Sequence, residues 1–125
     1  MQTNRITLLV DDLDSAITFY TDVFGLTLVE DTQISETKRI VRVGSLTESV
    51  SLNLATPKSG DEGLVGRQAG QRVFVFMDTE NLETDLIRFT EKQVEIVDGP
   101  RTETFGHCVL VKDLVGNTWE FVERN

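Results

Sequence analysis

The chain is poor in the residues that make most chemistries easy to locate. Its 125 residues include one cysteine, one histidine, one tryptophan, one tyrosine and two prolines. The single Cys108 excludes an internal disulfide and any paired-cysteine metal site, and its setting among Val and Leu suits a buried, inert thiol. No apolar run approaches the length that crosses a bilayer, and the start, MQTNRITLLVDD, lacks a signal-peptide pattern. Cations are scarce as well, with 12 Lys and Arg against 21 Asp and Glu and a formal net charge of −9. That balance repels nucleic acid and anionic membranes. Phosphate-cradling glycine motifs and nucleophile elbows are absent too. The expectation is a reduced, cytoplasmic protein with neither a nucleic-acid nor a membrane partner.

What is present suffices for one domain with a real core: 39% of residues are hydrophobic and 26% charged, the ordinary balance of a globular chain. The most informative stretch is Val10–Leu26, VDDLDSAITFYTDVFGL. Leu13, Ala16, Ile17 and Tyr20 recur at helical spacing and Phe24 extends the stripe, so one face is apolar. Asp12 or Asp14 can cap the first turn, where a negative charge also suits the helix dipole. Gly25 supplies the left-handed residue that closes a helix.

Strands flank that helix. RITLLV at 5–10 alternates, LTLVED at 26–31 starts from Gly25, and KRIVRV at 38–43 and SVSLNLA at 49–55 alternate again. Residues 58–70 form a glycine-rich linker of little periodicity, read as a crossover. The series then repeats. RVFVFM at 72–77 is a strand and Leu82–Lys92 an amphipathic helix carrying Leu82, Leu86 and Phe89. Short strands follow at 94–97, 107–112 and 118–123, with a Gly99–Pro100 break after the first and an Asp113–Asn117 turn before the last.

The two halves each read βαβββ, module 1 at about 1–57 and module 2 at about 71–125. At one constant spacing Arg5 falls on Arg72, Val10 on Met77, Leu52 on Trp119, Asn53 on Glu120 and Leu54 on Phe121. The helices drift by two positions, Leu13 meeting Leu82 and Ile17 meeting Leu86. A four-stranded sheet with one helix covers only one of its faces, so the expected fold is α+β, two modules forming a U-shaped, mostly antiparallel sheet around a cleft. Alternation sends Ile6, Leu8, Val10, Val73, Val75 and Met77 toward the helices, with Trp119 and Phe121 beneath the sheet. It leaves Arg5, Arg72, Phe74, Phe76, Asn53 and Glu120 in the cleft.

With V-x-D-L-D-x-A-x-x-F-Y-x-D-V-F-G-L at Val10–Leu26 and D-L-V-G-N-x-W-E-F at Asp113–Phe121, the chain resembles the vicinal oxygen chelate superfamily. That group includes glyoxalases, extradiol dioxygenases, fosfomycin-resistance enzymes and bleomycin-resistance proteins. The resemblance implies metal ligands at Arg5, Asn53, Arg72 and Glu120, yet only Glu120 is a usual ligand, since arginine offers no lone pair and asparagine a weak one. No cofactor is therefore expected, a divalent metal being the alternative. The leading expectation is a metal-free binder of a small polar or anionic ligand, gripped by Arg5 and Arg72 with Phe74 and Phe76 over its apolar part. Asn53, His107 and Glu120 complete the set, although Glu120 bridging the arginines is an equal, purely structural reading. The alternatives are a metal-dependent lyase, isomerase or dioxygenase using Glu120 and His107, and a dimeric structural or partner-binding module. The resemblance also implies a homodimer, which would protect exposed sheet edges.

Overall fold

A computed structural model describes all 125 residues. Two compact units make up the chain, Met1–Val65 and Gly66–Asn125, each with the α+β order βαβββ. The first contains β1 (Arg5–Leu9), α1 (Leu13–Thr18), β2 (Thr27–Gln33), β3 (Arg39–Gly44) and β4 (Ser51–Ala55), with a short 3₁₀ turn at Glu62–Leu64. The second contains β5 (Val73–Asp78), α2 (Leu82–Glu91), β6 (Ile96–Glu103), β7 (Gly106–Lys112) and β8 (Thr118–Arg124). The sheets have the orders β1-β4-β3-β2 and β5-β8-β7-β6. In each, the first and last strands run parallel and the other two pairings are antiparallel.

Alternation sorts most of the core as expected. Ile6, however, is 50% exposed, and the β5 bulge pairs Val73 with Thr118, out of the Trp119–Phe121 row in which it was expected. Leu8, Val10, Val41, Val43 and Leu54 are buried in the first unit with Ala16, Tyr20 and Phe24 from the helical segment. Asp12 caps α1 by accepting from the Ser15 N–H at 2.8 Å. The helix is less regular than its stripe implies, because Phe19–Val23 widens into a π turn before Gly25 closes it at φ 74°. The widened turn gathers Phe19, Tyr20 and Phe24, whose ring centroids lie 4.8 to 5.9 Å apart. Arg39, on the helix side of β3, ties α1 to the sheet edge by ion pairs with Asp14 at 2.9 Å and Asp31 at 2.8 Å.

In the second unit Asn81 caps α2 by accepting from the Thr84 N–H at 3.0 Å, and Phe89 meets Phe121 edge-on at 5.1 Å. Trp119 is fully buried beside Phe121. Its indole N–H donates to Asp113 at 2.9 Å, and that carboxylate also accepts from the backbone N–H groups of Val115, Gly116 and Asn117 and from the Asn117 amide. The turn read from sequence as a hairpin is thus built around one buried anion with five donors. Gly66 packs against it, at φ +77°, so closely that a Cβ there would stand 2.0 Å from the Val115 carbonyl oxygen.

Two sequence expectations need correction. β6 does not stop at the Gly99–Pro100 break but continues to Glu103, absorbing the irregularity as bulges on either side of Asp98. Arg5 and Arg72 are not equivalent. Leu8 lies beside Leu54 and Met77 beside Phe121, so the first strands share the two-position drift seen in the helices. The strand-to-helix connections have equal length, which carries one offset through both elements, and Arg5 therefore matches the bulge at Val73–Val75. Arg72 sits in the bend before β5.

Replacing Asp113 with Ala strands the Trp119 and Asn117 donors in a buried site, and stability should fall by about 3–5 kcal/mol, read from the denaturant midpoint. A second effect concerns acid. Hydrogen bonding from the Ser15 backbone holds Asp12, from Arg39 holds Asp31, and from Arg42 holds Glu30 below ordinary carboxylate values of 3.8, 3.8 and 4.5. Their folded pKa values are depressed, so their contribution is complete above those ordinary values and is lost as pH falls through the lower folded ones. The denaturant midpoint should decline below about pH 4.5, with a flatter decline in Arg39→Gln, which releases Asp31.

Candidate functional site

Each helix covers one face of its sheet, and strand register fixes what the other face carries. In the first unit Thr7 on β1 lies beside Asn53 on β4, Asn53 beside Arg42 on β3, and Arg42 beside Glu30 on β2. One polar row therefore crosses all four strands. Leu8, Leu54 and Val41, one residue along, form the apolar row under the helix. In the second unit the matching row is Phe76, Glu120, Leu110 and Asp98. Phe76 is 67% exposed, an unusual state for a phenyl ring on a sheet.

Arg42 is the cation of the first row. Its Nε donates to the Ser51 hydroxyl at 2.8 Å and its Nη1 to Glu30 at 3.1 Å, and its side chain is only 20% exposed. Glu30 is held ionised mainly by this hydrogen bond, with Thr32 and the charge of Arg5 adding to it. Arg5, exposed at the start of β1, shares this face because its register partner is Ser51. Arg42 and Glu30 were missed by the sequence reading. The alternation of KRIVRV already held the signal, since Arg42 lies between the inward Val41 and Val43.

The other sequence-derived residues divide. Asn53, Phe76 and Glu120 stand on the faces that the helices of their own units leave uncovered, and Phe74 falls in the β5 bulge, half-buried. Arg72 is exposed outside the strand, while Glu120 has Phe76 and Leu110 as its cross-strand neighbours. His107 cannot join Glu120. It pairs across the ladder with Glu123, three residues from Glu120 and therefore on the helix side of the sheet, and its Nδ1 lies 3.0 Å from the Thr102 hydroxyl. The sequence reading had no register with which to assign His107 a face.

This donor set does not suit a catalytic metal. No three His, Cys, Asp or Glu side chains are grouped to hold an ion, and at the positions the resemblance marks only Glu120 is an anionic ligand. Nor is there a thiol–imidazole pair: Cys108 is fully buried on the face opposite His107. What the open faces offer is binding chemistry: a braced guanidinium, an amide, a hydroxyl, carboxylates and an exposed ring.

Comparison with known proteins agrees with this architecture. Residues 2–121 match the family model of the Glyoxalase/Bleomycin resistance protein/Dioxygenase superfamily. An uncharacterized protein of Shewanella frigidimarina (strain NCIMB 400) is 36% identical over 124 residues, covering 97% of this chain and 92% of that protein. Among solved structures, TnmS3, an antibiotic binding protein from Streptomyces sp. CB03234, superposes with a TM-score of 0.80 at 22% identity, covering 100% of this chain and 97% of that one. FosX, a genomically encoded fosfomycin resistance protein from Listeria monocytogenes, gives 0.72 at 16% identity, covering 100% and 94%. The paired βαβββ units, the two sequence motifs and the near-complete family match lead to one conclusion: the chain belongs to the glyoxalase/bleomycin resistance protein/dioxygenase superfamily.

Proposed function

We propose that this chain is a small-molecule-binding protein that works without a metal and takes a polar or anionic ligand against the open sheet face of its first unit. The observation that carries this reading is the row Thr7–Asn53–Arg42–Glu30, which puts hydrogen-bonding and charged groups where the helix provides no cover. Arg42 is braced by Ser51 and Glu30, so little rotamer entropy is lost when it meets a ligand oxygen. Arg5 adds a second positive charge to the same face. On the separate open face of the second unit, Phe76 offers an exposed ring to an apolar group. The antibiotic-binding description of TnmS3, which shares the fold, supports a role in sequestering or sensing a compound. Such a protein fits the cytoplasm and a homodimeric state.

Calorimetric titration with benzoate and phenyl phosphate tests the reading. Binding is expected for the native chain and should weaken about tenfold or more in Arg42→Gln, a loss near 1.4 kcal/mol. The half-buried Arg42–Glu30 pair contributes about 1 kcal/mol or less to folding, so the variant should unfold close to the native denaturant concentration. Equal binding by native and variant protein would remove Arg42 from the site. Stabilisation of chelator-treated protein by manganese, iron(II), cobalt, nickel or zinc, abolished in Glu120→Gln, would overturn the metal-free reading.

A further inference from the structure

We propose that a groove on the helix side of the second unit, remote in face from the open sheet surface, binds a small organic cation: an ammonium group joined to a short apolar body. The groove has a volume of about 550 Å³, within the range of small-molecule sites. It runs between the first turns of α2 and the outer part of β6 and β7. Leu82, Leu86 and Pro100 give it an apolar lining, and Glu83, His107 and Glu123 give it polar ones.

The local chemistry selects the charge of the occupant. A helix N-terminus ordinarily attracts anions, but here two of the first-turn donors are taken by side chains. The Leu82 N–H donates to Glu123 Oε1 at 3.0 Å, and the Thr84 N–H to the Asn81 side chain at 3.0 Å. Glu123 thus brings a full negative charge to the lining and keeps its second carboxylate oxygen for a ligand. Glu83 adds another carboxylate. Arg101, the one Lys or Arg among the lining residues, stands beside Cys108 on the face opposite His107 and is engaged by Asp98 at 3.2 Å and Glu103 at 3.5 Å, two carboxylates for one guanidinium. The Thr102 hydroxyl lies 3.0 Å from His107 Nδ1; when that nitrogen carries the proton and donates to Thr102, Nε2 is left as an acceptor. An ammonium can donate to Glu123 and to His107 Nε2, with its hydrocarbon part against Leu82, Leu86 and Pro100. A carboxylate or phosphate would meet acceptors and repulsion instead.

The probe is benzylammonium, followed by ¹H–¹⁵N NMR, with benzyl alcohol as its neutral counterpart of similar shape. Benzylammonium is expected to shift the amide signals of Leu82, Glu83, Thr102, His107 and Glu123 in a saturable manner, at least tenfold more tightly than benzyl alcohol. Glu123→Gln removes the charge yet keeps an oxygen to accept from Leu82, so the fold should persist while affinity for benzylammonium falls about tenfold. Glu83→Gln, which caps nothing, should weaken binding to a smaller extent. Equal affinity for amine and alcohol, unchanged affinity in Glu123→Gln, or signals moving only on the open faces would each overturn the proposal. Failure here leaves the open-face reading untouched, because benzoate binding and its dependence on Arg42 are read on other residues.

Discussion

The first strand of each unit lies parallel beside the last, and the arrangement of both sheets follows from that pairing. β1 leaves one edge of its sheet, and the chain must reach β2 at the opposite edge before two antiparallel returns bring β4 back beside β1. The connection crosses a single face, and the helix formed on the way covers that face alone. The second unit repeats the path with β5, α2 and β8. An uncovered sheet face is therefore built in. Strand alternation then decides which residues occupy it, and the register decides which of them stand in line.

That pairing also shows why the fold was legible in sequence while much of the site was not. Period-two strands and period-3.6 helices write directly into residue order, so the βαβββ repeat, the buried Trp119 and Phe121 and the inward Leu8 and Leu54 could be read without coordinates. Which residue stands beside which cannot be read that way. Matching the halves at the constant spacing of their last strands put Arg5 against Arg72, whereas the bulge in β5 places Arg72 outside the strand. A bulge has no strong signature among alternating Val and Phe. The same limit hid the side of His107, since one residue of register moves a side chain to the other face.

The Asp113 turn shows a different kind of illegibility. D-L-V-G-N reads as turn chemistry, but nothing local announces that the aspartate is buried or that an indole six residues on donates to it. A carboxylate with five donors tolerates burial because its charge is met by N–H groups from several directions. The turn, the buried Trp119 and the close approach of Gly66 thereby form one assembly, in which a glycine in the linker and an aspartate far along the chain constrain each other.

The two open faces, built on the same plan, carry different chemistry, and the difference locates the residues folding does not require. Counted along the rows, Arg42 in the first unit stands where Leu110 stands in the second, and Glu30 where Asp98 stands. A leucine fills that place on β7, so the architecture itself makes no demand for a guanidinium. A half-buried Arg–Glu pair need not outperform an apolar replacement in stability, because desolvation offsets much of the attraction. The arginine, its hydroxyl brace and its carboxylate partner are more elaborate than the scaffold needs at that position. Their purpose is to be sought in what the first unit meets at its open face.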